Sequence, residues 1–195
     1  MTSTLLKKHS FDTVFDSQKV FRLLLEAMAN PTRIVHINEY ANKLHGEFPA
    51  ILALAMTLLD NEVCFCTYGN QLLSDEIASL TLAKREGIDS ADFIFVRDPG
   101  DIKTVIENGK SGTLSDPHKS ATVFIVNDDE PNLWATFFGP GIDGRKTIRT
   151  SGTVRDAVVI RDAQGYEYPR GVDLVFVSGK GELTAVPRLT RMEVE

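Results

Sequence analysis

Apolar residues recur at helical spacing through Val20, Phe21, Leu24, Ala27 and Met28, predicting a helix that Asp16 or Ser17 caps and Asn30-Pro31 ends. Residues 34–37 (Ile-Val-His-Ile) then read as a short strand. Pro49 suits the first turn of a second helix over 50–59, where Ile51, Leu52, Leu54, Met56, Leu58 and Leu59 leave almost no polar face. A helix apolar all round must be covered on most sides, by the core or partly by another subunit. Short apolar runs at 63–68, 93–96 and 121–126 predict strands that alternate with helices over 71–86 and 98–108. That alternation predicts a layered α/β fold with a largely parallel or mixed sheet. Beyond residue 130 the character changes. Residues 133–138 and 146–149 read as strands, 154–162 as a weak helix, and 172–177 and 183–186 as a closing strand pair. An antiparallel edge or flanking meander is expected there. No internal repeat, low-complexity tract or linker longer than a turn breaks the pattern, so residues 1–195 read as one domain.

The 195 residues suffice for one sizeable core that buries about 70% of the unfolded surface. A net charge of −6 favours solubility and argues against a non-specific nucleic-acid binder. The charge is unevenly placed. Residues 1–144 hold 12 Lys+Arg against 20 Asp+Glu (−8), whereas residues 145–195 hold 9 against 7 (+2), including seven of the eleven arginines. Guanidinium forks suit carboxylate or phosphate, so a local anion site competes there with scattered surface arginines. Residues 1–9 lack the apolar core of a signal peptide, and no run approaches the ~18–20 apolar residues of a membrane span. Cys64 and Cys66, two apart in a strand, project to one face; they are too few for a metal site alone and read as buried, reduced, cytoplasmic thiols.

Several motifs carry possible chemistry. Gly139-Pro140-Gly141-Ile142-Asp143-Gly144 spells G-x-G-x-x-G after a predicted strand, but a dinucleotide site needs a helix next, and Arg145 to Thr150 reads as strand. A glycine turn between antiparallel strands accounts for it better. Gly109-Lys110-Ser111 ends like a phosphate-binding loop, yet Thr104 stands where the first glycine belongs. The histidines (His9, His36, His45, His118) are dispersed, without the spacing of a helical metal site. Asp116-Pro117-His118-Lys119-Ser120 reads as a surface turn rather than a catalytic set, and Asp128-Asp129-Glu130 as a solvated acidic turn. Lys180 is the one lysine flanked by turn chemistry after a strand, as a pyridoxal phosphate site requires, but a hairpin explains it without a cofactor.

The constellation left is Arg170, Asp173, Arg188 and Arg191. A charge at the start of the run 172–177 is costly unless paired. If the closing strands form a hairpin, Arg170 leads into one while Arg188 and Arg191 follow the other, so all lie at one edge. Either Asp173 pairs with an arginine and fixes the strand ends, or the spare arginines meet an anionic ligand or an acidic partner surface.

Five segments, in order, resemble the PhnH family of the bacterial carbon–phosphorus lyase system for phosphonate breakdown. Residues 21–31 (Phe-Arg…Ala-Met…Pro) resemble its F-R-x-x-x-x-A-M-x-x-P helix, and Ser120-Ala121-Thr122 and Gly139-Pro140-Gly141-Ile142 its S/G-A-T start and G-x-G-I turn. Gly171-Val172-Asp173-Leu174 and Pro187-Arg188-Leu189-Thr190-Arg191 resemble its closing segments, with Leu189 where the family usually has Thr. The resemblance implies a cytoplasmic, usually homodimeric subunit that assembles with PhnG, PhnI and PhnJ and has no membrane or nucleic-acid partner. That complex transfers an alkylphosphonate to the ribose of ATP, releasing adenine. The implied fold is three-layer α/β/α with a mixed sheet, similar to the large domain of PLP-dependent transferases but without PLP. No catalytic residue, cofactor or metal carries over. The competing reading is an independent phosphate- or nucleotide-binding transferase built on Arg170, Asp173, Arg188 and Arg191.

Overall fold

The computed structural model describes residues 9–194, so the stretch considered above as a signal sequence lies outside the described residues except for His9. In chain order the elements open with α1 (Phe15–Ala29), β1 (Val35–His36), α2 (Asn38–Ala41), α3 (Pro49–Leu58) and β2 (Cys64–Tyr68). Next come α4 (Gln71–Leu80), β3 (Lys84–Arg85), β4 (Phe93–Val96), α5 (Ile102–Asn108) and β5 (Thr122–Val126). The chain closes with β6 (Leu133–Phe138), β7 (Arg145–Thr150), α6 (Gly152–Ala163), β8 (Asp173–Val177), β9 (Glu182–Val186) and β10 (Arg191–Val194).

Seven strands form one mixed sheet in the order β1-β9-β8-β5-β4-β2-β3. From β8 to β3 all pairings are parallel; β9 returns antiparallel beside β8, and β1 antiparallel beside β9. The central strands are continuous apolar runs because both faces are covered. Phe95, Phe124, Val175 and Val177 join a core beneath α1, α3 and α4. Their neighbours Ile94, Val96, Val123, Ile125, Leu174 and Phe176 join a second core beneath α5 and α6. Helices, sheet and helices therefore form three layers, and a small antiparallel sheet (β10-β6-β7) closes the second core with Ala135 and Phe137. Helix α3, apolar all round, buries Ala50 through Ala55 without interruption. No described helix is long and apolar enough to cross a membrane.

Four local expectations need correction. Helix α1 starts before Asp16: the Asp12 carboxylate accepts from the Val14 and Phe15 N–H groups at 2.8 Å each and is the cap. Asp16 turns inward instead, accepting from the Asp12 N–H and from Lys43 Nζ at 2.7 Å. The helix expected over 71–86 stops at Leu80, where Thr81 donates its hydroxyl to the Ile77 carbonyl; Lys84 and Arg85 then form an exposed edge strand. Basic residues suit a strand whose outer edge has no neighbour to pair with. The weak helix at 154–162 is a full one, capped by Ser151, and β10 had no counterpart in the sequence pattern. Cys64 and Cys66 are half-buried rather than buried, and the Cys64 thiol donates to Asp92. Burial pushes both thiols above their ordinary value, with Asp92 adding to the effect at Cys64.

Candidate functional site

The sheet end where the parallel strands begin holds the four candidate residues. Asp173 opens β8, and its carboxylate takes the Arg188 backbone N–H at 2.8 Å and Nε at 3.2 Å, with Nη2 closing a forked ion pair. Arg188 Nη1 donates to the Pro117 carbonyl at 2.7 Å, so this one side chain ties the loop before β5 to β8 and to the exit of β9. Such bidentate charge-assisted pairs are strong and directional. Arg170 takes no part in that pair; it donates to the Gly112 carbonyl and the Ser111 hydroxyl. Arg191 donates through Nη1 to Asp162 and to the Arg188 carbonyl. The three arginines share an end of the sheet, each with its own partners.

A fifth member was not legible in the sequence. Arg161 of α6 is 2% exposed, donating Nη1 to the Val186 and Pro187 carbonyls at 3.0 Å and Nη2 to the Thr190 carbonyl at 2.5 Å. Burial pushes its guanidinium below the ordinary arginine value, and the Asp162 carboxylate works against that push. The signal missed is an arginine on the apolar face of a helix, spaced with Val154, Ala157 and Val158.

The family-like segments meet around this framework. Gly171 (φ +143°) lies against Arg188, where an added Cβ would stand 3.1 Å from the Arg188 Cβ. Gly139 (φ +128°) leaves only 2.7 Å between such a Cβ and the Leu189 carbonyl. Gly141 (φ +84°) sits as closely against the Ala29 carbonyl and Pro31. Both turn glycines thus let the β6–β7 hairpin touch the chain from two sides. That hairpin pairs Phe138 with Arg145 antiparallel and no helix follows the glycines, as the turn reading expected.

The opposite, carboxyl end of the sheet is more open. The crossover from β2 through α4 leads to β3 on one face, whereas β4 leads through α5 to β5 on the other, so the winding reverses between β2 and β4. Doubly wound sheets open their binding crevices at that reversal. Here a cleft of about 440 Å³ is lined by Tyr68, Asn70, Arg97, Asp98 and Asp101. Arg97 lies over the Phe48 ring at 4.5 Å and pairs with Glu47 at 2.9 Å. A second cavity of about 270 Å³, beyond β5 and β8, is lined by Asn127, Asp129, Arg149, Ser151 and Lys180 among others. Its polar groups are partly engaged: Thr153 donates to Asp129, and Ser151 donates to Asn127. No group of three or more His, Cys, Asp or Glu that could hold a metal exists among the described residues.

The chain is 28% identical over 182 residues to a protein named as a C-P lyase subunit, HtxG, from Stutzerimonas stutzeri, covering 91% of this chain and 86% of that one. It is 27% identical over 194 residues to the alpha-D-ribose 1-methylphosphonate 5-triphosphate synthase subunit PhnH of Rhizobium meliloti, covering 94% of each. The family model described as bacterial phosphonate metabolism protein (PhnH) matches residues 9–193, and this chain belongs to that family.

Proposed function

We propose that this protein is a cytoplasmic subunit of a carbon–phosphorus lyase core complex, assembling with PhnG, PhnI and PhnJ and usually homodimeric on its own. In that complex it supports the transfer of an alkylphosphonate to the ribose of ATP with release of adenine. One observation carries the reading: the family-like segments converge on an internal framework rather than on a free reactive group. The charges of Asp173 and Arg188 are spent on each other and on the Pro117 carbonyl, and that of Arg161 on Asp162 and three backbone carbonyls. Two members keep donors unbonded among the described residues, Nη1 of Arg170 and Nε and Nη2 of Arg191. These two are the candidate contacts for an anion or an acidic partner surface, Arg170 held by Ser111 and the Gly112 carbonyl and Arg191 by Asp162 and the Arg188 carbonyl. The three layers suit the implied likeness to the large domain of PLP-dependent transferases, and Lys180 stands exposed in the β8–β9 turn.

Co-expression with PhnG, PhnI and PhnJ tests the reading. The chain is expected to co-purify with them in fixed proportion, and a chain that never does is not a subunit. The purified chain alone is expected to be inactive on ATP plus methylphosphonate; turnover would favour the independent transferase.

A further inference from the structure

Helix α1 has two apolar faces, and the fold covers one of them. Val20, Leu24 and Ala27 are buried in the first core. On the other face Val14, Phe15, Phe21 and Leu25 are 68%, 71%, 43% and 51% exposed. Val14, Phe21 and Leu25, with Gln18 between them, follow steps of four, three and four residues, the spacing of a helix–helix seam. A helix apolar on two sides belongs between two layers, and among the described residues no second layer covers it. The charge beside this face is net positive, with Glu26 standing between Arg22 and Lys19 around the helix. Lys19 and Arg22 make no ion pair or side-chain hydrogen bond among the described residues, and nearby Glu26 is taken by Arg33 at 2.9 Å.

We infer that the outer face of α1 seats an amphipathic helix of another subunit in the complex. That helix presents an apolar stripe to Phe21 and Leu25 and carries Asp or Glu beside it to meet Lys19 and Arg22. The inference rests on the subunit reading above and adds the surface and the chemistry of its partner. Charge decides the occupant. Two copies of α1 packed against each other bring Lys19 and Arg22 of both copies to one seam without a free acid, and like-charge contacts disfavour that pairing. The chain's own first residues include Lys7 and Lys8, which repeat the same sign.

The test measures binding of the purified chain to a co-expressed PhnG–PhnI–PhnJ assembly. Phe21→Glu with Leu25→Glu should weaken binding at least tenfold and leave the melting temperature unchanged, since both side chains are exposed. Phe21→Ala with Leu25→Ala serves if the acidic pair impairs folding. Lys19→Glu with Arg22→Glu should weaken binding and flatten its salt dependence. Trp134→Ala, on the outer face of the small sheet, should leave binding intact. If the native chain binds and the Phe21/Leu25 variants bind equally well, the docking surface is wrong while the subunit reading stands. If the native chain binds nothing, the subunit reading fails and takes this inference with it. Variants that lose self-association in light scattering yet keep their affinity for the assembly would put a second copy on the face and overturn the inference.

Discussion

The two ends of the seven-stranded sheet use charge in opposite ways. Where β8 begins, Arg188 is locked to Asp173 and the Pro117 carbonyl, and Arg161 closes off three carbonyls at and beyond the end of β9. Where the same strands end, Arg149 and Lys180 border a cavity without an ion pair among the described residues, and Arg97 is paired only at the half-exposed surface. Four of the five recognisable segments cluster at the closed end, and the fifth, residues 21–31, runs along α1 and reaches them through Ala29 and Pro31 against Gly141. The short motifs at this end mark how the chain is held together, with Asp173 and Arg188 spent on each other.

The contrast predicts a gradient of effects, steepest at the closed end. Arg161→Met strips the donor from three carbonyls and leaves Asp162 to Arg191 alone, so urea unfolding should show a loss of about 3–5 kcal/mol. A loss under about 1 kcal/mol would erase the distinction between the ends. Arg188→Met leaves the buried Asp173 carboxylate without its fork and should cost about 2–3 kcal/mol; Asp173→Asn in the same chain should recover part of it. Gly141→Ala meets both an unfavourable φ and the Ala29 carbonyl, for about 1–2 kcal/mol in thermal unfolding.

Acid titration sharpens the same comparison. At the closed end, burial raises the Asp92 carboxyl, but hydrogen bonds from Lys110 and Cys64 and the Lys110 charge outweigh it and hold the group below the ordinary carboxylate range. The stability it contributes is present above the unfolded value of about 3.9 and is lost as pH falls through the lower folded value. Lys110→Met should therefore move the acid-unfolding midpoint upward. Arg97→Ala at the open end should change stability by less than about 1 kcal/mol, because its pair with Glu47 is half-exposed.

The legible parts of this fold were those with local signals. Phe93–Val96 and Leu133–Phe138 stand at their expected bounds, one a continuous apolar run and the other bounded by turn residues. Lys84–Arg85 was lost inside a helix because two charged residues carry no period, and only pairing with β2 makes them a strand. Arg191–Val194 is likewise a strand through its partner β6. At the site, the Asp173–Arg188 pair was one of the outcomes foreseen, since both ends of a hairpin come together by construction. Arg161 was not, because its acceptors are main-chain oxygens 25 to 29 residues away that no residue type announces.

That last feature has an evolutionary side. Arg161 and Gly139 grip the stretch after β9 by its peptide groups, at Pro187, Leu189 and Thr190, and not by its side chains. A lock on peptide groups tolerates drift in the residues it holds. Leu189, which stands where the family's closing segment usually has Thr, is met there at its carbonyl, unlike its neighbour Arg188 with its side chain locked to Asp173, so the chain could change its spelling at 189 without changing its shape.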